Sequence, residues 1–332
     1  MQNVINKNDE TDVNDVVAFT IGTHDFTYKG LGQTEEKQYK AVFLSVEGTS
    51  NLKQLLSNFD IGYNDDSYFE KVKPDLLLLE TGLGGRLDAT NVIKTNLCAI
   101  ITHIDFDHTE RLGDTLEQIA FEKSGIIKKN CLTIVGENYE IFSQKSDNMN
   151  SKLIFAKETG GYEKYLNLKG LHQKDNLTLA LACIKNVFPD IKSDVIVEGL
   201  KNVKHPFRFE YKANENLIID AAHNPNGISA LRKNLDYYYP DLQRRFIFGC
   251  LKNKDYESMI KILFKPDDEI YFSKFNYPNS ADINDLQSVC SYNSFELDYK
   301  KFNINDKTKL TVICGSFYML KEIIDKLGIN DF

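Results

Sequence analysis

Short apolar runs punctuate the first half of the chain at 16–21 (VVAFTI), 41–46 (AVFLSV), 75–79 (DLLLL), 97–102 (LCAIIT) and 132–136 (LTIVG). Each has the length of a strand, and most carry apolar residues at successive positions. Both faces then need cover, which is the pattern of a parallel sheet flanked by helices. Helical spacing lies between some of these runs. Segment 115–123 places Leu116, Ile119 and Ala120 on one face, and segment 174–188 does the same with Leu177, Leu181 and Ile184. A second series starts near 205, with strands predicted at 216–220, 245–249, 269–273 and 310–314. Helices are predicted at 227–239, 255–264, 282–292 and 316–327. Alternating strands and helices define an α/β class. The sequence His205-Pro206 breaks the helix before it, because the residue preceding a proline is disfavoured in the α region. Two domains are expected, 1–204 with a polar tail at 1–14, and 205–332.

Composition narrows the function classes. The chain has 332 residues, enough for two cores, and its 42% hydrophobic and 27% charged content argues against wholesale disorder. Lys and Arg number 40 against 48 acidic residues, a net charge of 40 − 48 = −8. That balance disfavours a nucleic-acid partner, which needs a basic footprint, and leaves room for a local anion site. The six cysteines (98, 131, 183, 250, 290 and 314) stand singly and form no C-x-x-C pair. Neither a zinc site nor a disulfide framework follows, and small buried thiols in a reducing compartment are expected. The polar, acidic first residues do not read as a targeting peptide, and no apolar run approaches the ~20 residues of a membrane span. The expectation is a cytoplasmic protein with no membrane partner.

Candidate chemistry gathers at strand ends. In 74–91 (PDLLLLETGLGGRLDATN) a buried strand delivers Glu80 to its carboxyl end. A turn with Gly82, Gly84 and Gly85 follows, then Arg86 and Asp88. Ligands of open α/β sheets bind at such ends, glycine allows a sharp turn or close approach, and a carboxylate there can hold a hard cation. A plain strand–turn with a solvated glutamate fits the same pattern. The next strand runs into 103–113 (HIDFDHTERLG), where Asp105, Asp107 and His108 cluster. Lys123 follows a helix, and its spacing alone reads as a solvated charge favoured by the helix dipole. Further on, Asp220 ends a strand and His223-Asn224-Pro225 opens a helix, the arrangement of a nucleotide or phosphate site. Only six arginines occur, and three stand in segments of this kind, Arg86 in 74–91, Arg111 in 103–113 and Arg208 in 205–210 (HPFRFE). Arginine supplies the bidentate fork that phosphate favours.

Seven blocks in order, LETGLGGRLDATNV, HIDFDHTERLGDTLEQIAFEKSGIIK, GLHQKDNLTLALA, HPFRFE, IIDAAHNPNG, GCLKNKDYESMI and CGSFYML, resemble the folylpolyglutamate synthase / dihydrofolate synthase family of Mur-type ligases. The resemblance covers residues ~70–332 and implies a Mur-ligase-type ATP-binding domain, shortened at its N-terminus, followed by a Rossmann-like C-terminal ligase domain. It implies ATP-dependent amide ligation, in which a folate or dihydropteroate carboxylate is phosphorylated and the amine of glutamate displaces phosphate. By that resemblance Glu80, His108 and Lys123 ligate Mg²⁺ and form the catalytic group, with Lys123 carbamylated. Asn176, Arg208, Asp220, His223 and Lys254 contact ATP, and the protein is a monomer.

The chain also departs from that pattern. No G-K-[ST] occurs in it, and the closest echo of a phosphate-binding loop is VVAFTIGTHDFTYKG at 16–30, where His24-Asp25-Phe26 follows Gly22-Thr23. The family's folate-binding TSPH-type loop is not visible. Phe207 and Ala221 stand where the family has glycine, and Asn253 where it has aspartate. Two other expectations therefore accompany the active ligase. One is a paralogue that binds nucleotide or folate without turnover, and the other is a ligase for a different carboxylate.

Overall fold

The four leucines of Leu76–Glu80 form a strand, as their unbroken apolar run requires. In this computed structural model residues 18–28, 37–47 and 76–329 are described. The chain divides into two compact units, residues 1–159 with 176–196, and residues 160–175 with 197–332.

The first unit contains two three-stranded sheets. One has the order β1 (Ala18–Tyr28), β2 (Lys37–Glu47), β3 (Leu76–Glu80). Strand β2 is parallel to β3, with Ala41 opposite Leu76. Strand β1 is antiparallel to β2, with Ala18 opposite Glu47 and Tyr28 opposite Lys37. This corrects the all-parallel expectation. It also corrects the expected end of the first strand, because the ladder continues through Gly22-Thr23 and His24-Asp25-Phe26. The second sheet is parallel throughout, β4 (Cys98–Ile101), β5 (Leu132–Val135), β6 (Lys152–Phe155). The unit also holds α1 (Thr109–Leu112), α2 (Leu116–Ser124), α3 (Glu140–Asn148) and most of α4 (Gln173–Val187), and α5 (Ser193–Asn202) is divided between the two units. Helix α2 starts where Thr115 and Gln118 form a reciprocal capping box. Its Ile119 and Ala120 pack with Ile101, Ile104, Leu112, Ile127, Val135 and Phe142, so the predicted face is the buried one.

The second unit is a six-stranded sheet in the order β11-β10-β9-β12-β8-β7, built from β7 (Glu210–Lys212), β8 (Leu217–Ile219), β9 (Arg244–Phe248), β10 (Glu269–Phe272), β11 (Ser294–Glu296) and β12 (Leu310–Cys314). All neighbours are parallel except β7 with β8. Helices α6 (Pro225–Tyr238), α7 (Tyr256–Leu263), α8 (Ile283–Val289) and α9 (Phe317–Leu327) accompany it. The apolar runs are continuous because the sheet has two cores. Ile218, Phe246, Phe248 and Val312 enter one, and Leu217, Ile219, Ile247 and Ile313 enter the other, alternating along each strand. Helix α8 ends at Val289, short of the predicted 292. The strands β6, β7 and β11 and the helices α1 and α3 were not legible in the pattern, and α5 was expected only as a helix of unstated bounds before His205-Pro206. β7 and β11 have three residues each, too few for a period to show.

Candidate functional site

Glu80 is the last residue of β3 and is exposed. The turn after it is packed onto a helix. A Cβ on Gly85 would lie 2.9 Å from the carbonyl oxygens of Glu122 and Lys123, and a Cβ on Gly125 would lie 2.2 Å from the Cα of Arg86. Glycine is required at both places because backbone meets backbone. The Arg86 N–H donates to the Glu122 carbonyl at 2.7 Å, and the Arg86 guanidinium reaches the Glu122 carboxylate at 2.8–3.2 Å. Asn91 Nδ2 donates to the carbonyls of Arg86 (3.1 Å) and Gly125 (3.2 Å), and Lys128 Nζ donates to Asn91 Oδ1 at 2.6 Å. Asp88 accepts from the Leu83 and Thr90 N–H groups and caps a short 3₁₀ turn, Ala89–Val92. The Gly-rich segment is thereby locked to the end of α2 that carries Lys123.

Lys123 is partly buried, and that burial holds its amine below the ordinary lysine pKa, with the nearby Asp107 charge opposing. The spacing-based reading of a solvated charge is therefore corrected. His108 sits at the N-cap of α1 in left-handed backbone, φ 50°, with Nδ1 3.7 Å from Glu110 and Nε2 3.9 Å from Asp107. Sequence reasoning missed a further pair here. Glu137, just beyond β5, accepts from His103 Nδ1 with one oxygen and from the Ile104 N–H with the other, at 3.1 Å. Its signal was a carboxylate directly after the LTIVG strand. Among the described residues no three His, Cys, Asp or Glu side chains gather into a metal cage. Glu80, through oxygen, and His108, through a ring nitrogen, are ordinary donors for a divalent cation, whereas Lys123 becomes a third donor, through oxygen, only as a carbamate. A less basic amine suits that conversion, since the neutral form is the nucleophile. Asn176 lies in the first turns of α4.

In the second unit Asp220, immediately after β8, is 8% exposed. One carboxylate oxygen accepts the Phe209 N–H and the other the Ala222 N–H, both at 2.8 Å. Burial pushes its pKa up, and those two donors and the Arg208 charge oppose the shift. Asp220 thus brackets the turn that presents Arg208, whose own side is exposed. Phe207 and Phe209 flank it in left-handed backbone, φ 62° and 47°. Phe207, at the family's glycine position, occupies a conformation that glycine adopts without cost. His172 feels the same arginine, and desolvation with the Arg208 charge lowers its imidazole pKa. The sequence singled out its block but not this histidine. His223 Nδ1 donates to the Ala221 carbonyl at 3.0 Å, and Asn224 caps α6 by accepting the Gly227 N–H at 2.7 Å. Lys254 is half-buried, in a turn where its N–H donates to the Leu251 carbonyl at 3.1 Å. Beside that turn Asp282 accepts from Lys252 (2.6 Å) and Lys274, which hold its carboxyl at about 2. Glu80, His108, Lys123 and Asn176 belong to the first unit, and Arg208, Asp220, His223 and Lys254 to the second.

Three comparisons bear on this arrangement. Residues 207–310 match the family described as Mur ligase, glutamate ligase domain. The dihydrofolate synthase/folylpolyglutamate synthase of Bacillus subtilis is 29% identical over 293 residues, covering 77% of this chain and 68% of that protein. Among solved structures, folylpolyglutamate synthase from Thermotoga maritima superposes with a TM-score of 0.67 at 27% identity, covering 80% of this chain and 68% of the other. The bifunctional folylpolyglutamate synthase/dihydrofolate synthase of Yersinia pestis, complexed with AMPPNP and a Mn ion, does so at 0.66 and 25%, covering 79% and 68%. No helix among the described residues is long and apolar enough to cross a membrane.

Proposed function

We infer that this chain, a member of the folylpolyglutamate synthase and dihydrofolate synthase family of Mur-type ligases, joins L-glutamate to a folate or dihydropteroate carboxylate with consumption of ATP. The observation that carries the reading is the locked joint between the turn after Glu80 and the end of α2, which holds a less basic Lys123 close to Asp107. A carboxylate is a poor electrophile, so it must first take the γ-phosphoryl group of ATP as an acyl phosphate. The glutamate amine then forms the amide bond and phosphate leaves with the C–O electron pair.

Glu80, His108 and carbamylated Lys123 would hold a divalent cation, Mg²⁺ in this reading, which when bound neutralises charge on the transferring phosphoryl group. Each of the other residues has its own part. Arg208 offers a guanidinium fork to phosphate oxygens, and Asp220 fixes the turn that aims it. The Nδ1–H bond of His223 fixes its ring orientation. Asn176 and Lys254 supply polar contacts to the nucleotide. In the same reading the domain division falls at 204/205, with Glu80, His108 and Lys123 before it and Arg208, Asp220, His223 and Lys254 after it.

Nucleotide or folate binding without turnover is the second reading, and the absence of any G-K-[ST] from the chain favours it. Phosphate release in the presence of ATP, Mg²⁺, glutamate and a reduced folate or dihydropteroate separates the two. Release that needs all four components and disappears in Glu80→Gln supports the ligase. Nucleotide binding in calorimetry with no folate-dependent phosphate supports the binder.

A further inference from the structure

Strand β4 ends at Ile101, and an irregular loop carries the chain from there to His108. Part of what fixes the loop's path comes from β5. The two strands are parallel with Ile101 opposite Val135, and the Gly136 N–H donates to the Ile101 carbonyl at 3.2 Å. The chains therefore stay side by side past the ladder, and Glu137 comes level with His103. The Glu137 carboxylate grips the loop at two points. One oxygen accepts from His103 Nδ1, and the other accepts the Ile104 N–H at 3.1 Å. The Ile104 side chain is buried in the core with Leu112 and Ile119. Ile104 is thus held through its amide on one side and through its side chain on the other. His103 is turned outward, with Nε2 3.9 Å from Asp105.

The loop has a second anchor at His108. The Arg111 and Leu112 N–H groups both donate to its carbonyl at 2.9 Å, and Leu112 returns to the same core. Between the anchors lie Asp105, Phe106 and Asp107, all exposed. There the Phe106 N–H donates to Asp105 at 2.8 Å and the His108 N–H to Asp107 at 3.0 Å. Bonds between adjacent residues shape a loop without fixing where it lies.

We propose that Glu137 is a positioning residue for the cation-binding group, because by fixing Ile104 it sets where the loop places Asp107 and His108. This rests on the reading of Glu80, His108 and Lys123 as cation ligands. Glu137 acts through the loop and needs no contact with cation or substrate. Its reach matters, and its charge does not. Glutamine has the same length, its carbonyl oxygen can accept the Ile104 N–H, and its amino group can donate to His103 Nδ1 in the other tautomer. Aspartate keeps the charge but is one methylene shorter and cannot span both partners.

The test is Mn²⁺ binding to the full chain in bicarbonate-containing buffer, followed by the electron paramagnetic resonance signal of the free ion. Wild type and Glu137→Gln should bind alike. Glu137→Asp and Glu137→Ala should bind about 10–100-fold more weakly, the range for losing a group that orients a metal ligand. Amide hydrogen exchange at Ile104 should be slow in the first pair and fast in the second. Equal affinity in all four proteins overturns the proposal. So does an aspartate variant that binds like wild type while the glutamine variant loses affinity, since charge rather than placement would then act. A wild-type chain with no Mn²⁺ affinity removes the cation reading itself and this proposal with it, so the two failures are told apart. If Glu137→Ala does not fold, the glutamine and aspartate variants, with thermal midpoints measured alongside, still decide.

Discussion

Asp220 carries two backbone donors in a buried place, so its removal has a cost the chain must bear locally. Asp220→Ala leaves the Phe209 and Ala222 N–H groups unpaired and should lower stability by about 3 kcal/mol in urea unfolding. Its pH dependence has a definite sign. A carboxyl whose folded pKa is raised above 3.8 contributes stability that is full below that value and lost as pH rises through the folded value. The stability difference between wild type and Asp220→Asn should therefore shrink as pH climbs out of the acidic range. Lys123 behaves in the opposite sense. Its folded pKa lies below 10.5, so folding expels a proton and stability rises with pH up to the ordinary lysine value. Lys123→Met should be about 1 kcal/mol more stable at neutral pH, flatten that slope, and abolish phosphate release. The sequence placed Lys123 at a helix end but could not show its burial, which depends on tertiary packing that helical spacing does not carry. Asp220 was legible as a strand-end acid, yet its bracket on Phe209 depends on an antiparallel edge strand of only three residues.

Helix α2 and the turn after β3 form one joint, and its tolerance is set by backbone distances. Gly125→Ala places a methyl group 2.2 Å from the Arg86 Cα and must push the two segments apart. A loss of about 2–3 kcal/mol in denaturation is expected, with phosphate release falling further than stability alone accounts for, because Lys123 moves with the helix end. Arg86→Lys keeps the charge but loses the bidentate fork, and should lower release with a smaller stability change. Sequence reasoning read the glycines as room for a turn or a ligand. The structure assigns Gly85 and Gly125 to helix–turn packing, a contact between residues some forty positions apart that no local pattern carries. Four strands of the second unit, β8, β9, β10 and β12, were legible because their apolar runs face the two cores in alternation. At the sheet's carboxyl side, Asp282 is held at about 2 by Lys252 and Lys274. Its contribution is present above 3.8 and lost as pH falls through about 2, and Lys252→Met with Lys274→Met should move its NMR-detected midpoint up towards 3.8.

At the scale of the molecule the two units have separate cores. The six-stranded sheet has a buried cluster on each face, and a buried ion pair, Arg232 of α6 with Asp268 at 2.8 Å, joins that helix to the residue before β10. A polypeptide of residues 197–332 should fold alone and unfold cooperatively, monitored by far- and near-UV circular dichroism. The first unit has one consequence of a different kind. Strand β1 passes straight through Gly22-Thr23, paired residue by residue with β2. Amides along an extended ribbon point alternately to its two sides, so they cannot converge on a single anion as those of a curled loop do. Where the hold on a polyphosphate tail rests on a side-chain cation such as the exposed Arg208, the surrounding electrolyte becomes its regulator. As the screening distance contracts from ~10 Å at 0.1 M to ~3 Å at 1 M, triphosphate affinity should decay steeply with added potassium chloride, where a backbone cradle would yield only slowly.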